Sequence, residues 1–258
     1  MIANILNKIL YYAHYGRSFL LDIIFPIECL SCKKEGLWVC DNCFEKIIIK
    51  YSQNCLVCGK NNFSGSFCKG CKKNLELDGI LIASNYSDAL LSKMIKTYKY
   101  KFAKDLSLPL AQLLIKFIEN LIKEGPKNYF WHQSGNAIVK QFSNNLIIPV
   151  PLFWKRKKWR GFNQSEELAK IFANYFNLKI NTKNLQRKNF LRPQTRLNKN
   201  ERFANIKDNF LWNGENLSGK HIILIDDVST STATLNECAK VLKKSGAKKV
   251  WGLVIGHG

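Results

Sequence analysis

Acidic residues are scarce in this chain. Nineteen aspartates and glutamates stand against 40 lysines and arginines over 258 residues, a formal net charge of +21. That excess points to a polyanionic partner. Long apolar runs are also missing. None reaches the roughly 18 residues of a membrane span, so no span is expected. Residues 1–28 lack a basic n-region and a small-residue cleavage site, so no secretory leader is expected and the location reads as cytoplasmic. Ile2, Ile5, Leu6, Ile9 and Leu10 fall at helical spacing there and predict an amphipathic helix. The four histidines, His14, His132, His221 and His257, show no paired spacing and are read as structural.

The positive charge is clustered. Lys93, Lys96, Lys99, Lys101 and Lys104 stand in 93–104 with no acid until Asp105, KRKKWR fills 155–160, and six bases face Glu201 across 187–202. Hydrophobic residues make up 46% of the chain, enough for a sizeable core in one large domain or two unequal ones.

Eight of the nine cysteines form CxxC pairs: Cys29/Cys32, Cys40/Cys43, Cys55/Cys58 and Cys68/Cys71. Both thiolates of such a turn reach one ion, so two tetrahedral structural Zn²⁺ sites use all eight. The local assignment is Cys29, Cys32, Cys40, Cys43 and Cys55, Cys58, Cys68, Cys71. A cross-braced pairing, first knuckle with third and second with fourth, stays open. Disulfides fit poorly without a secretory leader, and iron–sulfur ligation lacks an apolar shell in so polar a stretch. A Cys₄ site leaves no open position, so no chemistry is assigned to it. Cys238 reads as a buried structural thiol.

Beyond residue 76 strands alternate with helices: GILIASNY (79–86), a helical stretch over 88–123, LIIPVPL (146–152), NQSEELAKIFANYF (163–176) with Asn163 as cap, HIILID (221–226), TLNECAKVLKKSGA (234–247) and KVWGLVIG (249–256). Residues 125–145 read as an inserted loop. The pattern predicts an α/β fold with a mostly parallel sheet. The expected organisation is a helix over 1–28, a double zinc ribbon over 29–75 and an α/β domain over 76–258. Ligands gather at the carboxyl ends of such strands, where Asp226 and Asp227 stand. Behind them Thr230, Ser231, Thr232 and Thr234 put hydroxyls and free amides at a helix N-terminus, a place suited to phosphate. A phosphorylated sugar would use both, with its phosphate on the hydroxyls and its diol on the acids. GENLSGKH (214–221) nearly spells a P-loop, but ends in His221 and precedes a strand.

IILIDDVSTSTATL resembles the 5-phosphoribosyl 1-pyrophosphate motif of type I phosphoribosyltransferases. Together with PVPLFWKRKKWRGFNQ, LRPQTRLNKNERFANIKDNF, YSDALLSKMIKTYKYKF and the cysteine knuckles, it is similar to the ComF family of competence-associated proteins. That resemblance covers nearly the whole chain except 125–145. It implies a double zinc ribbon followed by a type I phosphoribosyltransferase-like domain, and a role in DNA uptake and natural transformation. Asp226 and Asp227 would then hold the ribose hydroxyls, with or without Mg²⁺. Thr230, Ser231, Thr232, Ala233 and Thr234 would hold the 5′-phosphate. Pro149, Val150, Pro151 and Arg160 would meet the pyrophosphate, and Arg187, Arg192 and Arg196 would lie on a closing loop. The family pattern usually has glycine where this chain has Thr232. The resemblance allows either phosphoribosyl transfer to an unidentified acceptor or a pocket that only senses a phosphorylated ligand. Single-stranded DNA is the expected polyanion, met by Lys155, Arg156, Lys157, Lys158 and Arg160 among aromatic residues. The ribbons or the N-terminal helix would meet a protein of the competence machinery.

Overall fold

The computed structural model describes residues 26–50, 52–61, 65–124, 145–188 and 206–258. The expected helix over 1–28 lies almost wholly outside them, as do nearly all of the 125–145 insertion, Arg192 and Arg196. The described chain divides by compactness at Lys46/Ile47, inside the segment expected to form one ribbon module.

In residues 26–46 the Cys29 N–H bonds the Lys34 carbonyl, and Lys33 takes a left-handed φ of 68° to close the knuckle. Cys40 then opens a single helical turn, α1 (Asp41–Phe44). The same construction recurs in the second unit. There the Cys55 N–H bonds the Lys60 carbonyl, and Gly59 supplies the left-handed position at φ 74°. Cys68 opens α2 (Lys69–Lys72). A CxxC turn needs this reversal, and glycine takes it more cheaply than lysine.

The second unit, 47–258, is built on a five-stranded sheet. Its strands are β1 (Gly79–Asn85), β2 (Asn145–Pro149), β3 (Lys179–Ile180), β6 (His221–Ser229) and β7 (Lys249–His257). They run in the order β1-β7-β6-β2-β3, and every pairing is parallel. A separate antiparallel pair joins β4 (Leu185–Arg187) to β5 (Phe210–Trp212). The helices are α3 (Ala89–Tyr100), α4 (Ser107–Glu124), α5 (Trp154–Arg160), α6 (Gln164–Tyr175) and α7 (Ala233–Lys244). The expected mostly parallel α/β sheet with cysteine ribbons ahead of it is therefore present. Among the described residues no helix is long and apolar enough to cross a membrane.

The helical stretch expected over 88–123 is two helices, broken at Phe102 (φ 57°) and a 3₁₀ turn at Lys104–Leu106. A straight helix of that length would run about 54 Å, far past the roughly 30 Å of a nine-residue strand. Breaking it keeps both apolar faces within reach of the core. KRKKWR lies in helix α5, ended by Gly161 at φ 82°.

Side chains alternate across the sheet. Ile222 and Leu224 face a core shared with Leu235, Cys238 and Leu242 of α7, and Cys55, Phe67 and Leu77 of the second ribbon join it. That ribbon also closes the free edge of β1. The Ile80 N–H donates to the Gly65 carbonyl, the Lys50 N–H to Ala83, and the buried Gln53 amide both gives to and takes from Ile82. An uncovered strand edge would expose a row of unpaired amides. The second ribbon is thus part of the sheet domain's construction.

Candidate ligand cleft and metal centres

The chain leaves β2 through α5 and α6 toward β3, and leaves β6 through α7 toward β7. Those strands are neighbours, so their exits diverge and open a crevice at their carboxyl ends. A cleft of about 200 Å³ fills it. Asp226, Asp227, Ser229, Thr230, Ser231 and Thr234 form one wall; Val150, Pro151, Arg160, Asn163, Gln164 and Ser165 form another; Arg156, Arg187, Lys99 and Tyr100 complete it.

Each piece has a local reason. Asn163 begins α6, but its side chain does not cap the helix as expected. It donates to the Val150 carbonyl at 3.1 Å and ties the PVP turn to the RGFNQ segment. Arg156 and Arg160 are one helical turn apart on α5, so both reach the cleft. The Arg160 guanidinium lies 5.9 Å from the Tyr100 ring centroid. The Tyr98 hydroxyl, buried, donates to the Gln164 carbonyl. Ser229, at the end of β6, donates to the Ser231 carbonyl and tightens the loop.

At the acids, Ser165 Oγ donates to Asp226 Oδ1 at 2.7 Å, as does the Asp227 N–H at 2.9 Å. The Val228 N–H donates to Asp227 Oδ1 at 2.6 Å, and Lys99 Nζ lies 2.9 Å from the same oxygen. Burial, then the neighbouring Asp227 charge, pushes the Asp226 carboxyl up to about 7 against the pull of Lys99 and Ser165. The residues fit a protein-ligated Mg²⁺ poorly, because a lysine ammonium already sits against this pair.

The basic side of the cleft is under-satisfied. Arg160 Nε, Arg187 Nε and Gln164 Nε2 are buried without a hydrogen-bond partner among the described residues. Burial lowers both guanidinium pKa values. Buried donors left open in this way are costly unless a ligand takes them.

Of the residues singled out from the sequence, Asp226, Asp227, Thr230, Ser231, Thr234, Val150, Pro151, Arg156, Arg160 and Arg187 line this cleft. Pro149, Thr232, Ala233, Lys155, Lys157 and Lys158 do not. Thr232 is buried at the start of α7 with φ −66° and ψ −7°, an ordinary helical conformation. The loop therefore has no need of glycine there. Lys99, Tyr100, Gln164 and Ser165 were not foreseen as site residues. For Lys99 and Tyr100 the available signal was the basic run 93–104, which does not say which lysine turns inward, and for Gln164 it was the RGFNQ segment.

The thiols settle the pairing left open by spacing. Cys29, Cys32, Cys40 and Cys43 gather with their sulfurs within 4.8 Å of one another, as do Cys55, Cys58 and Cys68. Cys71 sits beside the second group, its thiol pushed up to about 12 by burial and by Cys58 and Cys55. The Cys32–Cys40 and Cys58–Cys68 sulfurs are 3.6 and 3.7 Å apart. Four sulfurs about 2.3 Å from a tetrahedral ion would stand about 3.8 Å from each other. Burial raises the Cys29 and Cys55 thiols, yet amide donors bring both down to about 6. The residues fit Zn²⁺ in two locally paired Cys₄ sites, where the ion would fix each knuckle.

Residues 20–72 match the family model described as "Double zinc ribbon domain". The fold thus defines a zinc-ribbon protein with an α/β domain that carries a cleft. The chain is 27% identical to "Competence protein F" of Haemophilus influenzae over 89% of its own length and 97% of that protein. It is 29% identical to "Competence protein ComFC" of Streptococcus pneumoniae over 82% of each. To "DNA utilization protein YhgH" of Escherichia coli it is 33% identical, over 42% of this chain and 48% of that one. These relatives agree with the resemblance to the ComF family.

Proposed function

We propose that this protein serves DNA uptake or utilisation in competence, as the names of its relatives read, and that its cleft binds 5-phosphoribosyl 1-pyrophosphate. One observation carries the ligand: Arg160 and Arg187 bury unpartnered Nε atoms in a cleft that also holds an acid pair and a hydroxyl loop at the start of α7. In this reading Thr230, Ser231, Thr234 and the loop amides take the 5′-phosphate, and Asp226 and Asp227 accept the ribose hydroxyls. Arg156, Arg160 and Arg187 face the pyrophosphate, where they would take up charge as it leaves if transfer occurs. Magnesium carried on the pyrophosphate would share that charge. Calorimetric titration with this sugar tests the reading: saturable binding lost in Asp227→Asn supports it, and a flat trace for the wild type ends it.

A second reading rests on α5. Trp154 and Trp159 are 59% and 63% exposed among Lys155, Lys157 and Lys158. Charge with exposed aromatic faces suits single-stranded DNA. Neutralising the three lysines should flatten the salt dependence of oligonucleotide binding, measured by anisotropy. An unchanged slope refutes this reading.

A further inference from the structure

The contact between Lys99 and Asp227 spans two distant parts of the chain. Lys99 stands in the last turn of α3, and Asp227 near the end of β6. The lysine side chain is 23% exposed and the aspartate's 7%. Burial would lower the ammonium's pKa, but Asp227 and then Asp226 hold it above its ordinary value, so it stays charged. Each carboxylate commits its Oδ1 to protein donors: Asp226 to Ser165 and an amide, Asp227 to Lys99 and an amide. Each Oδ2 has no protein donor among the described residues. Two carboxylate oxygens left over on adjacent residues match the two donors of a vicinal diol.

We propose that Lys99 is the resident cation of the acid pair and positions Asp227 for the ligand's diol, so that this end of the cleft needs no protein-bound divalent metal. The inference rests on the phosphorylated-sugar reading for its ligand, but not for its central claim about the acids. A lysine so placed cancels one carboxylate charge where a metal ion would otherwise be required. The cleft is then divided: a nearly neutral diol end at Asp226, Asp227 and Lys99, and a cationic end at Arg160 and Arg187. A polyanionic sugar can enter head-on to the arginines without meeting two bare carboxylates. Lys99 is a positioning residue, since it acts through Asp227.

Two titrations of the full-length, zinc-loaded protein test this, without chelator. In the first, Mn²⁺ is the probe and electron paramagnetic resonance reads free ion. The wild type and Lys99→Arg should show no site at the acids. Lys99→Met should gain one, binding Mn²⁺ at least about tenfold more tightly, and Lys99→Met/Asp227→Asn should lose it again. In the second, 5-phosphoribosyl 1-pyrophosphate is titrated with and without Mg²⁺. Wild-type affinity should differ by no more than about threefold, whereas Lys99→Met should weaken about tenfold without Mg²⁺ and recover with it. A wild-type Mn²⁺ site removed by Asp227→Asn overturns the inference, as does a Lys99→Met protein that behaves as wild type. If no variant binds the sugar under any condition, the ligand reading falls, and the Mn²⁺ titration still decides the role of Lys99.

Discussion

Lys243 Nζ lies 2.9 Å from Asp78 Oδ2, and that ion pair fastens the last turn of α7 to the residue just before β1. Asp78 also holds Lys72 of the second ribbon at 3.0 Å, Lys249 at 3.6 Å and the Val250 N–H at 2.8 Å. One nearly buried carboxylate therefore joins the ribbon, the edge strand, α7 and β7.

Removing that charge strands its partners. Burial raises the Asp78 carboxyl, but the Val250 amide, then Lys243 and Lys72, bring it below its ordinary value. A depressed acid contributes stability that is present above the unfolded value near 3.9 and lost as pH falls through the folded value. Asp78→Asn should cost about 3 kcal/mol at pH 7, or about 6–12 °C in Tm. Thermal melts should show the gap closing below about pH 4.

The two zinc sites should differ in consequence. Cys32→Ser and Cys58→Ser should each leave one zinc of two by metal analysis. Only Cys58→Ser should speed hydrogen exchange across β1, because Gln53, Gly65 and Lys50 bond that strand from the second ribbon. Equal protection of β1 in both variants would count against the ribbon's role as an edge cover.

Asp226 titrates the other way from Asp78. Burial and then Asp227 raise it to about 7, so the folded protein holds its proton through a range where the unfolded chain has released it. Stability from that site is full below the unfolded value and lost as pH rises through about 7. Asp226→Asn should match the wild-type Tm only below about pH 4, exceed it in part at pH 5 and by the full gap at pH 8.5, and lose ligand-induced stabilisation throughout. A wild-type advantage at the higher pH would contradict the assignment.

Thr232 stands where the resemblance places a glycine. Its φ of −66° is ordinary, and the residue is 5% exposed. Thr232→Gly should therefore lower stability by about 1 kcal/mol and bring no gain in sugar affinity. A tighter complex would show that the threonine obstructs the loop.

Features carried by contiguous residues were legible in the sequence. The CxxC knuckles announced two ribbons, the apolar runs announced β1, β6 and β7, and Asp226-Asp227 followed by hydroxyls announced one wall of a cleft. Each works within a few residues through local backbone geometry. The second ribbon's bond to β1 left no such mark, since Gln53 has no periodicity to reveal which edge it covers. Neither did the break at Phe102, which follows from the length of sheet available to α3 and α4.

By itself, then, the sequence determined the metal-binding turns, the alternation of strands and helices, and the chemistry of the DDVSTST segment, because each depends on neighbours along the chain. Only the tertiary structure decided that Lys99, Ser165, Arg187 and Asp227 share one site, and that Lys72 and Lys243 meet on Asp78. Those groups lie far apart in sequence. A parallel sheet whose crossovers part between β2 and β6 brings the first set together at one end, and the docking of the second ribbon on β1 and α7 brings the second.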